Sequence, residues 1–240
     1  MFSFLKKIDK ESFLKTDIHS HLLPGIDDGV KSWEESLKII RTLANLGVEK
    51  IITTPHIMSD YYENTPEIIR SKLDALIVQT KEEGLNIAIE AAAEYYVDEK
   101  IFKYVEDNGE MLSFGNNYVL IETSFLNKPN ILNDFIFLLQ SKGYNPILAH
   151  PERYIYIQEN YDLIKEFISK NVLLQINVNA LVGYYSPAAK KLAEFIIKNK
   201  DISFLGSDIH NEKHLDIYQK AIKTKYFQKC RQLPILNNSL

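Results

Sequence analysis

His19 and His21 stand one residue apart in Thr16-Asp17-Ile18-His19-Ser20-His21, a segment that reads as the end of a β-strand. Alternate residues of a strand share a face, so both imidazoles can aim at one point. Pro24-Gly25 then breaks the strand, and Asp27-Asp28-Gly29 places carboxylates on a tight loop. Converging imidazole and carboxylate groups are what a divalent-cation site needs. The pattern recurs along the chain. His56, His150 and His210 each follow an apolar run, so five of the six histidines sit just past a predicted strand. Glu94, Glu122 and Asp208 also end apolar runs, where an ionised carboxylate is costly unless it is paired or bound to a metal. Asp208-Ile209-His210 repeats the spacing of His19 and His21.

The metal-ligating candidates are therefore His19, His21, Asp28, His56, Glu94, Glu122, His150, Asp208 and His210. Nine nitrogen and oxygen donors without sulfur suit two or three ions of the Mn²⁺, Fe²⁺ or Zn²⁺ type. Asp27 stays open as an alternative to Asp28. Arg153, three residues after His150, can present a planar fork to a phosphate at the same rim. The plainer reading of Arg153 is a surface ion pair, and that of Glu122 is an ion pair with a lysine.

These residues need elements that hold them. Helices are expected over 32–46, where Ser32 and Glu35 form a capping pattern, and over 66–83, with Pro66 near the start and Gly84 beyond the end. Further helices are expected over about 130–142, 161–170 and 187–198, with one more after His210. Between them lie β-rich runs at 50–54, 86–93, 118–121, 145–149, 172–177 and 202–206. Seven strand–helix alternations of ~30 residues argue for parallel strands joined by helices. Donors spread over six of the seven strand ends favour a barrel over an open sheet, because barrel sites gather from several strands at the C-terminal face. The expected fold is α/β, a distorted (β/α)7 barrel with its metal site at the C-terminal rim.

The whole chain limits the alternatives. A length of 240 residues with no repeat, linker or low-complexity tract favours one domain over 1–240. A short lead-in helix is expected over 1–15 and a loose tail over 233–240. The formal net charge of −4 gives no electrostatic reason for a nucleic-acid partner. No window approaches ~20 apolar residues, so no membrane insertion is expected. Cys230 is the only cysteine, which removes disulfides and thiolate metal sites and agrees with a cytoplasmic location. No arginine follows Cys230 at the spacing that cysteine-dependent phosphotyrosine chemistry requires.

Taken together, His19-Ser20-His21 with Leu23-Pro24-Gly25-Ile26-Asp27-Asp28-Gly29, Thr54-Pro55-His56, Glu94, Glu122, His150-Pro151-Glu152-Arg153 and Ser207-Asp208-Ile209-His210 resemble the PHP (polymerase and histidinol phosphatase) family. The likeness runs over about residues 16–215 and is narrowest to the manganese-dependent tyrosine-protein phosphatases of bacterial capsule and exopolysaccharide loci. It implies a trinuclear Mn²⁺ centre. One ion would take His19, His21, Glu94 and Asp208; a second would share Glu94 and add Glu122 and His150; the third would take Asp28, His56 and His210. It also implies phosphotyrosine hydrolysis by a metal-bound hydroxide, with Arg153, Asp208 and His210 as catalytic residues and Arg153 as the substrate contact. The implied partner is a phosphotyrosine protein, a bacterial tyrosine autokinase, and the oligomeric state stays open. Family members often carry another arginine after the last motif; here Asn211-Glu212-Lys213-His214 offers Lys213 or His214 instead. Tyr61, Tyr62, Tyr95, Tyr96, Tyr154, Tyr184 and Tyr185 are expected near the rim, as cleft walls or as packing. The alternative function is a small-molecule phosphoesterase of the histidinol-phosphatase type. An amidohydrolase and a non-catalytic module are weaker readings.

Overall fold

In the computed structural model, which describes residues 12–240, parallel strands alternate with amphipathic helices. The strands are β1 (Thr16–Asp17), β2 (Lys50–Thr53), β3 (His56–Ile57), β4 (Ala88–Ala91), β5 (Glu94–Tyr96), β6 (Tyr118–Glu122), β7 (Asn145–Ala149), β8 (Leu173–Asn177) and β9 (Phe204–Gly206). One sheet has the order β1-β2-β4 and the other β3-β5-β6-β7-β8-β9, with every pairing parallel.

Two of the expected strands, 50–54 and 86–93, are each followed after a break by a second short strand on the same path. Pro55 has no N–H to donate and separates β2 from β3, while Ala92 and Ala93 separate β4 from β5. Single bonds span the gap: Ala92 N–H donates to Thr53 O (2.9 Å) and Glu94 N–H to Pro55 O (3.1 Å). The result is seven strand paths. The last returns to the first through a bridge between Ser20 and Ile209, with Asp208 N–H donating to His19 O at 2.8 Å. This is the distorted (β/α)7 arrangement.

The helices are α1 (Trp33–Asn45), α2 (Pro66–Glu82), α3 (Glu99–Glu106), α4 (Leu132–Ser141), α5 (Ile155–Glu159), α6 (Asp162–Ser169), α7 (Pro187–Asn199), α8 (Glu212–Ala221) and α9 (Lys225–Cys230). Ser32, Thr65, Asp98, Ser186, Asn211 and Thr224 cap six of them, each side chain accepting from a backbone N–H three residues on. Where one last helix was expected there are two, α8 and α9. Helix α5 was not expected.

A large apolar cluster lies between strands and helices. A smaller one contains Ile18, Ile52, Ala92, Leu120, Ile147, Ala149 and Phe204, with Leu173 packed against it. Every strand path contributes to it, as the filled interior of a barrel requires. The C-terminal segment, expected to be loose, is instead seated at this level. Asn237 is fully buried; its amide donates to Thr16 O (2.9 Å) and Leu205 O (2.8 Å), and its Oδ1 accepts from Leu205 N–H (2.9 Å). The lead-in helix expected over 1–15 falls mostly outside the described residues, and 12–15 are not helical.

Candidate metal centre

The nine candidate ligands meet at the C-terminal ends of the strand paths. His19 Nε2 and His21 Nε2 are 3.3 Å apart. Each lies near Glu94 Oε2 (3.1 and 3.4 Å) and Asp208 Oδ1 (3.4 Å for both). His150 Nε2 approaches Glu94 Oε1 at 2.9 Å and Glu122 Oε2 at 4.0 Å. Asp28 Oδ1 is 3.4 Å from the Nε2 atoms of both His56 and His210. The distances gather all nine residues but group them differently from the resemblance: His21 stands with Asp28, His56 and His210, His150 with His19 and Asp208, and His56 with Glu94 and Glu122. His56 turns its Nδ1 toward Glu122 Oε1 (2.9 Å) and Glu94 Oε2 (3.3 Å), so its ring links the Asp28 group to the glutamates.

Local backbone conformation aims several of these groups. His150 (φ 33°) and Asp208 (φ 51°) both occupy the left-handed region at strand ends, a conformation costly for residues with a Cβ. Gly206 lets β9 pass close to the site: a Cβ there would come within 2.7 Å of His19 Cβ and 2.6 Å of Gln175 Nε2.

Asp27 and Asp28 differ clearly. Asp27 is buried; its Oδ2 accepts from His21 Nδ1 (2.8 Å) and His56 N–H (3.1 Å), so it orients a histidine from behind. Asp28 is half exposed and faces the shared space. Residues that sequence analysis did not single out do similar work on β8. Gln175 Oε1 holds His19 Nδ1 at 2.8 Å, and Asn177 Nδ2 donates to Asp208 Oδ2 at 2.6 Å. Their i, i+2 spacing on the one strand path lacking a charged donor was the available signal. Asp17 accepts from Ser207 N–H (2.9 Å) and Oγ (2.6 Å), tying β1 to the loop that carries Asp208.

The electrostatics are those of a dense ion cluster. Burial alone would raise Glu94 and Asp208, but His19 with its neighbouring imidazoles holds both well below the usual carboxylate range. Burial opposes protonation of His56, yet Glu94 and the other carboxylates push it up to about 10. His150, buried beside Arg153, is lowered.

The donor set fits metal ions. Two imidazole nitrogens converge on two buried carboxylate oxygens, and sulfur is absent from all of it. In addition, His56 Nδ1 and Glu122 Oε1 are buried and lie 2.9 Å apart without a well-formed hydrogen bond to any group. Two buried polar atoms left in this way are what a shared cation would satisfy.

A cavity of about 470 Å³ opens above the centre, lined by Asp28, His56, Glu94, Glu122, His150, Asp208 and His210, with Met58, Tyr62, Phe125, Tyr184, Tyr185, Arg153 and His214 around them. Tyr62 stacks on His56 with ring centroids 5.6 Å apart. Arg153 lies between the rings of Phe125 and Tyr185, 4.5 Å from each, and Nη1 donates to Asp208 Oδ2 at 2.9 Å. It is a partly buried rim residue, not a surface ion pair. Glu122 pairs with histidine, not with lysine. Tyr95 and Tyr154 are fully buried packing residues, and Tyr61 points to solvent. Of the two proposed substitutes for a second arginine, His214 lines the cavity with Nδ1 3.0 Å from Asp208 O. Lys213 instead lies over the Tyr184 ring at 5.7 Å.

Fold and site together define a parallel α/β protein with a histidine–carboxylate centre suited to divalent cations at the C-terminal rim. Comparison with known proteins narrows this. The family model for capsular polysaccharide synthesis proteins CpsB/CapC matches residues 15–238, and the chain belongs to that family. The tyrosine-protein phosphatase YwqE of Bacillus subtilis (strain 168) is 32% identical over 225 residues, covering 92% of this chain and 87% of that protein. The tyrosine-protein phosphatase CpsB of Streptococcus agalactiae serotype V is 26% identical over 220 residues, covering 90% and 89%. A crystal structure from work on YwqE of Bacillus subtilis and CpsB of Streptococcus pneumoniae, metal-dependent tyrosine phosphatases, aligns with a TM-score of 0.78. It is 27% identical and covers 92% of this chain and 94% of that one. Among the described residues no helix is long and apolar enough to cross a membrane.

Proposed function

We propose that this chain is a metal-dependent protein-tyrosine phosphatase that hydrolyses phosphotyrosine in a substrate protein to tyrosine and inorganic phosphate, acting as one domain. The observation that carries this reading is a cluster of imidazoles and carboxylates beneath an aromatic-walled cavity with one arginine at its edge. The names of the relatives support it. Two or three Mn²⁺ ions are the proposed cofactor, with Fe²⁺ or Zn²⁺ as alternatives. His19, His21, Glu94 and Asp208 would hold one ion, Glu94, Glu122 and His150 a second, and Asp28, His56 and His210 a third. Bound there, divalent cations supply Lewis acidity toward phosphoryl oxygens and bring the pKa of a water toward neutrality.

The protein's own groups do the rest. Arg153, flat between Phe125 and Tyr185, offers a planar fork to the phosphate. Tyr62, Phe125 and Tyr184 line the cavity with aromatic faces, which favours an aryl phosphate. A tyrosyl leaving group has a pKa of about 10 and needs less protonation than an alkoxide. Asp208 and His210 act from beside the reacting phosphate, Asp208 by bridging Arg153 to the ligand cluster. The proposed substrate is a bacterial tyrosine autokinase of capsule or exopolysaccharide synthesis, met in the cytoplasm.

Turnover of a phosphotyrosine peptide is compared with that of histidinol phosphate under the same metal loading. The peptide is expected to be the better substrate by kcat/KM. An inert peptide with turnover of histidinol phosphate overturns the reading in favour of a small-molecule phosphoesterase.

A further inference from the structure

Asp208 Oδ2 receives three donors: Asn177 Nδ2 at 2.6 Å, Arg153 Nη1 at 2.9 Å and Tyr185 Oη at 3.2 Å. A carboxylate oxygen has two in-plane lone pairs, so one of these donors is surplus. Two of the three are fixed. Asn177 is fully buried: its Oδ1 accepts from Gln175 Nε2 (2.9 Å) and its N–H donates to Glu152 Oε1 (2.9 Å). Its second amide hydrogen goes to Tyr185 Oη at 3.0 Å, which closes a triangle with Asp208. Arg153 is the donor free to turn. Its side chain keeps 24% exposure, lines the cavity, and packs between two rings, a contact that fixes no single hydrogen-bond direction.

We propose that Asn177, assisted by Tyr185, is a positioning residue that keeps Asp208 satisfied so that Arg153 can leave it for the substrate's phosphate. The inference rests on the reading of Arg153 as the phosphate contact. Without Asn177 and Tyr185, withdrawing Arg153 would strip a buried carboxylate oxygen of its donors, a costly change. Arg153 would then stay on Asp208 and the phosphate would lose its partner. Asp208 Oδ1, facing His19 and His21, would be little altered. The assignment also gives β8 a role: the strand path without a charged donor supplies the neutral amides that steady the charged groups on its neighbours.

The test is a double-mutant cycle on metal-saturated protein. It measures KM and kcat for p-nitrophenyl phosphate, inhibition by inorganic phosphate, and metal affinity by titration calorimetry. Asn177→Ala is expected to raise KM and the phosphate inhibition constant about tenfold, the range of one hydrogen bond to a charged group, with kcat changed less than about threefold. Tyr185→Phe keeps the ring over Arg153 and is expected to raise both about threefold. In an Arg153→Ala background neither substitution should add a further rise. An equal effect of Asn177→Ala with and without Arg153 overturns the proposal. So does loss of metal affinity with an unchanged KM after reloading. If Asn177→Ala fails to fold, Tyr185→Phe carries the same cycle. If Arg153→Ala itself leaves KM and phosphate inhibition untouched, the phosphate-contact reading falls first, and that result is separate from the others.

Discussion

The barrel interior and the rim directly above it are built from the same strands and obey opposite rules. On β6, Leu120 faces the small apolar cluster, while Glu122, two residues on, joins His56 and His150. Ala92 and Glu94 make the same change around the start of β5, and on β8 partly buried Leu173 gives way to Gln175 and Asn177. Below the transition, side chains are close-packed apolar groups stabilised by loss of water contact. Above it, each group is specified by its partner, and the arrangement is strained: buried carboxylates, imidazoles driven to carry protons, and two left-handed residues at His150 and Asp208. The lower layer supplies stability that the upper layer uses.

Changes above and below the transition should therefore fail in different ways. The largest effect is expected from Glu94→Gln, because Glu94 lies within 3.4 Å of His19, His21, His56 and His150. Activity should fall by more than the ~10–100-fold typical of residues standing behind metal ligands, and bound metal should drop by elemental analysis, with the fold intact by circular dichroism. Leu120→Ala, two residues before Glu122 on β6 and facing the small apolar cluster, should do the reverse. It should lower stability by ~2–5 kcal/mol in urea unfolding while kcat per folded molecule stays unchanged. Gln175→Leu sits at the boundary and removes the partner of His19 Nδ1. Metal affinity should weaken ~10–100-fold, with less change in unfolding than Leu120→Ala.

The last comparison concerns protons. His56 is pushed up to about 10 in the ion-free protein, so at neutral pH it binds a proton that a metal must displace. Metal affinity should rise with pH from 7 toward 10, by about tenfold per unit for each proton released. Calorimetry in buffers of different ionisation enthalpy should show that release. An affinity flat across this range would mean that His56 does not ligate.

Much of this was legible in the residues alone because metal chemistry needs charged or imidazole side chains, and these stand out after apolar runs. His19, His21, Glu94, Glu122, His150, Asp208 and His210 could be placed at strand ends by pattern, and the structure brings them within a few ångströms. The groups behind them were hidden. Gln175 and Asn177 are neutral amides whose role exists only through contacts with strands distant in sequence. Asp27 and Asp28 are adjacent and alike, and only the loop's path decides which is buried. The sandwich of Arg153 depends on Phe125 and Tyr185, from two separate loops. The split of the second and third strand paths follows from Pro55 for one, but nothing in Ala92-Ala93 announces the other. The seated tail also escaped, since Asn237 looks like any polar residue near a terminus until its amide meets Thr16 and Leu205.

The central claim is that the rim groups gather divalent cations to cleave an aryl phosphate. The most direct measurement is metal content by elemental analysis, taken on the same sample as p-nitrophenyl phosphate hydrolysis, before chelation, after it, and after Mn²⁺ is returned. The expected result is at least two ions per chain, activity lost with the metal, and activity restored by Mn²⁺. Undiminished hydrolysis by protein stripped below one ion per chain would contradict it.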